Sequence, residues 1–387
     1  MQETEEGVGC ERVSLAWITF TRPQVVHFHL TADSLPVMRD FLEVSRDLYY
    51  THNDPPEENP FKSFGRIFAA IERLHSAKSH YALNLLNIEE ILSMLEMMRA
   101  VGAPLEARAE PLGIGVELFK DYIRSTIEEC TPKSFTPGFQ EQVKTGGYPT
   151  DAAEQLFGEK SDPVNAYGNF VAGLAGVGVL VQKRPGRPGT IIERLHRSPE
   201  GVEHEYSIVT LNYDLLIERL ADHIDKFDPA NAEQPTTRSI LRIAKLHGSV
   251  EEGQPIVPPT WRKGEFALVE AEWSKAYKWL TRATQIRVIG YSLPRTDVYM
   301  RYLLGAAAVG AQRLKRIDVI TNDPKLRSHY ERFVCFENAR YAAVNAEDYV
   351  DQVVDSRTTS RGGSWKETWF AIDEKKHDRI MDERRIS

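Results

Sequence analysis

The sequence predicts an α/β fold: a mostly parallel, doubly wound sheet with a helical insertion. Three observations carry that expectation. Short β-rich runs at 206–210, 242–246, 286–289 and 317–321 alternate with helical segments, the pattern of parallel strands joined by crossover helices. Each run ends in a compact polar cluster, and the carboxyl ends of parallel strands are where such sheets bind ligands. The stretch at about 61–200, by contrast, is dominated by helical periodicity and reads as an insertion. The expected architecture is therefore Rossmann-like.

Residues 24–30 (QVVHFHL) are β-branched and aromatic enough for a first strand, and 36–50 carry Val37, Met38, Phe41, Leu42, Leu48 and Tyr49 at helical spacing. Pro55, Pro56 and Pro60 punctuate an acidic loop. Two amphipathic helices follow, marked by Ile67, Phe68, Ile71 and Leu74 and then by Ile88, Ile91, Leu92, Leu95 and Met98. On the second, Glu89, Glu90 and Glu96 read as the solvent face. Further helices are expected at 116–127 and 166–181, and His196 and His204 are expected in a polar loop. The tail from Ser356 is charged, while its Trp365, Trp369 and Phe370 point to partial docking. The expected division is an atypical segment with the first strand at 1–30, a main domain at 31–350 and a charged tail at 351–387.

With 387 residues, 42% of them hydrophobic, the chain can bury a large core. Lys and Arg total 48 against 56 Asp and Glu, a net charge of −8 that repels a phosphate backbone. Nucleic acid is not an expected partner. Cys10, Cys130 and Cys335 are scattered and odd in number, so neither a disulfide framework nor a zinc site of paired cysteines is expected. No metal is expected either. The N-terminus is acidic where a secretory signal is basic, and the small and apolar stretch 170–181 is well short of the roughly 20 residues that cross a bilayer. A soluble, cytoplasmic protein without membrane contact is expected.

The polar clusters are Asn212-Tyr213-Asp214, His247-Gly248-Ser249, Gly290-Tyr291-Ser292 and Asn322-Asp323. At the carboxyl ends of one parallel sheet they would converge on a single crevice. Taken singly, each has a plainer reading: Asn212 precedes Leu215, Leu216 and Leu220 as a helix cap would, and a lone histidine is more often bonded to backbone. A serine nucleophile elbow does not fit, since Pro294 stands where that motif needs glycine. Trp261 and Trp273 read as packing residues.

Thr210-Leu211-Asn212-Tyr213-Asp214, Lys245-Leu246-His247-Gly248-Ser249, Ile256-Val257-Pro258-Pro259-Thr260-Trp261 and Ile289-Gly290-Tyr291-Ser292-Leu293-Pro294-x-x-Asp297, in that order, resemble bacterial sirtuin-like domains, many of which serve in anti-phage defence. The resemblance is dense over 206–323 and looser over 35–98. It implies an NAD glycohydrolase that releases nicotinamide and ADP-ribose, with Asn212 ordering water or the ribose near the scissile bond. It likewise implies that His247 contacts the ribose hydroxyls as general base. Asp214, Gly290, Ser292, Asn322 and Asp323 are the implied nucleotide-binding positions, joined by Thr210, Gly248 and Ser249 of the same motifs. NAD or ADP-ribose is the implied ligand, and a homo-oligomer or a defence-system partner protein the implied assembly. These residue types suit the chemistry: loss of nicotinamide leaves positive charge on the ribose, so a neutral polar group to place water and a base of near-neutral pKa are needed.

Deacylating relatives carry a zinc ribbon with two pairs of cysteines; its lack here points to NAD hydrolysis rather than protein deacylation. The chain also departs from the family at the glycine-rich Gly-Ala-Gly-x-Ser loop, since 29–34 holds no glycine and carries Asp33 where backbone amides would cradle pyrophosphate. Two readings of that departure stay open. One is a degraded pocket in a non-catalytic NAD or ADP-ribose-binding regulatory module; the other is an atypical stretch of first residues ahead of an intact site.

Overall fold

The computed structural model describes residues 13–19, 48, 65, 67, 91–93, 95–97, 116–133, 135, 152–158, 163–183, 190–197, 204–227, 237–257, 263–293, 297–332, 336–355, 358–359, 371–372 and 374–386. Along the chain these form β1 (Val13–Thr19), α1 (Val116–Cys130), α2 (Ala152–Phe157), α3 (Pro163–Leu174), the antiparallel pair β2 (Val177–Lys183) and β3 (Thr190–Arg197), and β4 (His204–Thr210). There follow α4 (Leu216–Phe227), α5 (Thr237–Ile240), β5 (Arg242–Lys245), α6 (Lys263–Arg282), β6 (Gln285–Ile289), α7 (Val298–Gly310), β7 (Arg316–Thr321), α8 (Arg327–Glu331), β8 (Ala339–Ala343), α9 (Ala346–Val353) and α10 (Glu374–Glu383).

Six strands make one parallel sheet in the order β5-β4-β1-β6-β7-β8, so the protein is of mixed α/β class. The four β-rich runs from residue 206 onward are β4, β5, β6 and β7 to within two residues at each end. Their apolar residues are buried on both faces of the sheet. Ile286, Val288, Ile317 and Val319 join a core with Val269 and Leu280 of α6 and Met300 and Leu304 of α7. Ile289 and Ile320, one residue on, point the other way into a core with Phe170 of α3, Leu220 of α4 and Tyr349 of α9. Each such side chain, fully buried, contributes about 1.5–3 kcal/mol.

Several sequence expectations are corrected. The strand between β4 and β6 is Val13–Thr19. The expected strand at 24–30 and the glycine-free window at 29–34 lie outside the described residues. The helix expected at 166–181 stops at Leu174: Gly176 turns at φ +63°, and Val177, Val179 and Val181 then favour the extended pairing with β3. The stretch 61–200 is thus not wholly helical. His196 and His204 fall on β3 and β4 rather than in a loop. Glu96 is not on a solvent face. It is 1% exposed and lies 3.1 Å from Lys120 of α1, a charge partner 24 positions away that helical periodicity could not reveal. Glu89, Glu90, Trp261 and the tail aromatics lie outside the described residues.

The tail contributes α10, which packs Ile380 and Met381 into the core beside α9. Residues beyond it line the edge strand, with Ala343 N donating to Arg384 O (2.8 Å) and Ile386 N to Tyr341 O (2.9 Å). That pairing covers an otherwise open sheet edge.

Under α10, Arg287, Asp318 and Arg340 stand side by side on β6, β7 and β8 as one charged rung. Asp318 is fully buried and accepts from Arg340 Nε (2.7 Å) and Nη2 (3.0 Å). His377 Nε2 bonds the same carboxylate at 2.8 Å, and Tyr349 OH reaches His377 Nδ1 at 2.8 Å. Arg287 donates to Glu374, so α10 is attached to the sheet through paired charges. Burial alone would raise the Asp318 carboxyl, but the hydrogen bonds and positive charge of His377 and Arg340 outweigh it and hold it well below the usual carboxylate range.

Burial lowers the pKa of His377 from the ordinary 6.5, opposed in part by Asp318, and lowers that of His247 likewise. Both imidazoles then bind fewer protons folded than unfolded below about pH 6.5, so stability rises with pH through that window. Asp318 acts in the same direction further down, because its contribution is lost as pH falls through its depressed folded value. Melting temperature is expected to drop between about pH 7 and pH 5, and His377→Asn to flatten that slope. Thermal unfolding across this range tests it; a wild-type melting point that stays level or climbs on acidification would show the reverse linkage.

Candidate functional site

The strands end level. Thr19 of β1 stands beside Thr210 of β4 and Ile289 of β6, and Thr210 beside Lys245 of β5. The polar clusters that follow β4, β5, β6 and β7 therefore share one edge of the sheet.

Two clusters are bonded directly to each other. Leu246 N donates to Thr210 O (2.9 Å) and Val250 N to Tyr213 O (2.9 Å), which sets the His247 turn against the Asn212 loop. The loop is shaped from within: Asn212 N donates to the Thr210 hydroxyl (3.1 Å), and Asp214 Oδ1 accepts from Leu216 N (2.9 Å). Asp214 therefore caps α4, the role the plainer reading gave to Asn212. Thr210 and Asp214 are buried, whereas Asn212 is partly exposed at the edge.

His247 is 5% exposed, its ring 6.1 Å from that of Tyr213 and 6.5 Å from that of Trp273. Its Nδ1 is buried and has no hydrogen-bond partner among the described residues. Burial lowers the pKa of the ring by disfavouring its charged form, while the negative charge of Asp297 partly opposes this. Gly248 adopts φ +83° and lies against the Pro255 carbonyl, where Ser249 N donates to Pro255 O (3.0 Å). The buried Ser249 Oγ accepts from Glu251 N (3.2 Å).

At the end of β6, Gly290 takes φ +68° and donates its N–H to Ile320 O (2.9 Å). Tyr291 donates its hydroxyl to Asp297 Oδ2 (2.7 Å), whose Oδ1 caps α7 through Met300 N (3.1 Å). Ser292 follows, half-buried. At the end of β7, Asn322 is exposed, and Asp323 Oδ1 accepts from Lys325 N (2.9 Å). The ten residues singled out in the sequence thus lie along one edge, with the β4 and β5 groups in hydrogen-bonded contact.

Compared with protein-family models, curated proteins and solved structures, the chain gives no match.

Sequence reasoning assigned no role to Lys245, Glu218 or Asp297. The ammonium of Lys245 donates to the Asp214 carbonyl and pairs with Glu218 at 3.1 Å. Only its position two residues before His247 hinted at this. Asp297 opens the helical run 298–310, a capping signal legible in sequence. Trp273 is 8% exposed and donates its indole N–H to Leu246 O (2.7 Å), in keeping with a packing role. A cavity of about 340 Å³ elsewhere is lined by Phe135, Arg219, His223 and Lys226 among others, and none of the ten residues borders it. Among the described residues no helix is long and apolar enough to cross a membrane.

Proposed function

We propose that the protein is a sirtuin-like, cytoplasmic NAD glycohydrolase of anti-phage defence, built on a Rossmann-like doubly wound fold, with Asn212 and His247 at its reacting centre. The observation that carries this reading is the alignment of the Asn212, His247, Gly290 and Asn322 clusters along the carboxyl edge of one parallel sheet. Counted by sequence within that sheet, the strand order is 3-2-1-4-5-6, the dinucleotide-binding order, whose ligand crevice lies between its first and fourth strands. Those are β1 and β6, next to β4.

In this reading, water replaces nicotinamide at the anomeric carbon of the ribose. The C–N bond electrons leave with nicotinamide, which departs neutral from a cationic pyridinium; ADP-ribose and a proton are the other products. The partly exposed Asn212 amide orients water or ribose, and the neutral His247 ring accepts a proton through a nitrogen that no described group occupies. Gly290, without a side chain, lets the nucleotide approach the backbone, and Thr210, Asp214, Gly248, Ser249, Ser292, Asn322 and Asp323 complete the wall. NAD is the substrate, and the reaction calls for no metal. A homo-oligomer or a defence partner protein completes the proposed assembly.

One observation favours a second reading. The imidazole is 5% exposed between two aromatic rings, which suits a regulatory module that binds NAD or ADP-ribose without turning it over.

Incubation with NAD is expected to release nicotinamide. Asn212→Ala should lower kcat about 10²–10³-fold and His247→Ala about 10²–10⁴-fold. Chromatography of the products, with isothermal titration of NAD and ADP-ribose alongside, separates the readings. Binding heat without nicotinamide would favour the module. No turnover and no binding, with Asn212→Ala indistinguishable from wild type, would defeat both.

A further inference from the structure

We infer that Lys245 is a positioning residue of the candidate site: its ammonium holds the loop carrying Asn212 in register with the strand end carrying His247. Only the kinetic part of this inference rests on the proposed NAD cleavage; the structural part stands on its own.

Lys245 is the last residue of β5, and its side chain reaches across to the start of α4. It donates to the Asp214 carbonyl and lies 3.1 Å from Glu218 Oε1, with 13% of its side chain and 10% of that of Glu218 exposed. Backbone bonds between the two loops fix Thr210 and Tyr213, through Leu246 N and Val250 N. Lys245 extends that tether to Asp214, the residue whose carboxylate caps α4. Asn212 sits inside the tethered stretch, so its position at the edge follows from where Thr210 and Asp214 are held.

Glu218 explains the choice of a charged tether. Burial raises its pKa, the Lys245 charge opposes this, and its buried Oε2 has no hydrogen-bond partner among the described residues. A carboxylate at this depth needs its cation. The charge fixes the ammonium in place, and the fixed ammonium fixes the Asp214 carbonyl. A misplacement of the Asn212 amide by about 1 Å is enough to lose on the order of 100-fold in rate.

The test measures hydrogen exchange in the full chain for wild type, Lys245→Met, Lys245→Arg and the double variant Lys245→Met with Glu218→Gln. The double variant removes the uncompensated buried charge, so it keeps the test open should Lys245→Met alone fail to fold. Exchange in a peptide spanning 211–217 is expected to rise about tenfold or more in the methionine variants, with β7 and α10 unchanged, and to be largely restored by arginine. Where the wild type releases nicotinamide, kcat of the methionine variants should fall about 100-fold while KM moves less than about threefold. Unchanged exchange over 211–217, or an equal rise throughout the chain, would overturn the assignment. A wild type that never cleaves NAD defeats the proposed activity alone, because exchange still decides what Lys245 does.

Discussion

Asp318→Ala is expected to destabilise the fold by about 3–5 kcal/mol, because it removes a fully buried carboxylate from the middle of the ionic rung. Arg340 donates two hydrogen bonds to this carboxylate, His377 bonds it at 2.8 Å, and Arg316 Nε lies 3.2 Å away. Without it, the partly exposed guanidinium groups of Arg316 and Arg340 keep only Glu374 and Asp378 as anionic partners among the described residues, and the buried His377 imidazole loses its carboxylate. Against a typical total of about 5–15 kcal/mol, a loss of this size lowers the melting temperature on the order of 10 °C. Asp378→Ala is the matched control. That carboxylate also pairs with Arg316 and Arg340, but its side chain is 45% exposed, so less than about 1 kcal/mol is expected. Equal losses for the two variants in urea titration would mean that depth in the rung does not set the energy.

Gly248→Ala is expected to cost about 3 kcal/mol or more and to disturb the His247 turn. Two causes add. The residue sits at φ +83°, where a side chain costs roughly 1–2 kcal/mol, and an added Cβ would stand 1.8 Å from the Pro255 carbonyl oxygen, a backbone atom unable to rotate away. Relief means separating Gly248 from Ile256, which breaks the bridge between them and moves His247, whose carbonyl accepts from Val257 N at 2.9 Å. Gly253→Ala isolates the first cause, since φ there is +77° and nothing lies within 4 Å of the added atom. It should cost only about 1–2 kcal/mol. Should the two variants unfold at the same denaturant concentration, the close approach to Pro255 has no energetic weight.

The strands and the edge they share were legible where local signals and long-range demands agree. Ile286, Val288 and Ile289 are buried on both faces of the sheet, and the polar residues that follow the run are those a strand end exposes. Misreadings arose where a partner far along the chain decides. Glu96 reads as a surface residue until Lys120 is brought to 3.1 Å. The run 166–181 has a composition that helix and strand both accept, and the turn at Gly176 settles it.

Within the candidate site, the chemistry-bearing residue types, their order and their place after strands belong to the sequence alone, because they depend on motif and periodicity. Which of them face water, which cap helices and which bond one another belong to the tertiary structure. Asp214 became a cap, His247 a buried ring whose Nδ1 has no hydrogen-bond partner among the described residues, and Lys245 a donor to the Asp214 carbonyl. The reason is physical: hydrogen bonds and burial are properties of neighbours in space, and the bond from Lys245 to the loop at Asp214 spans 31 positions.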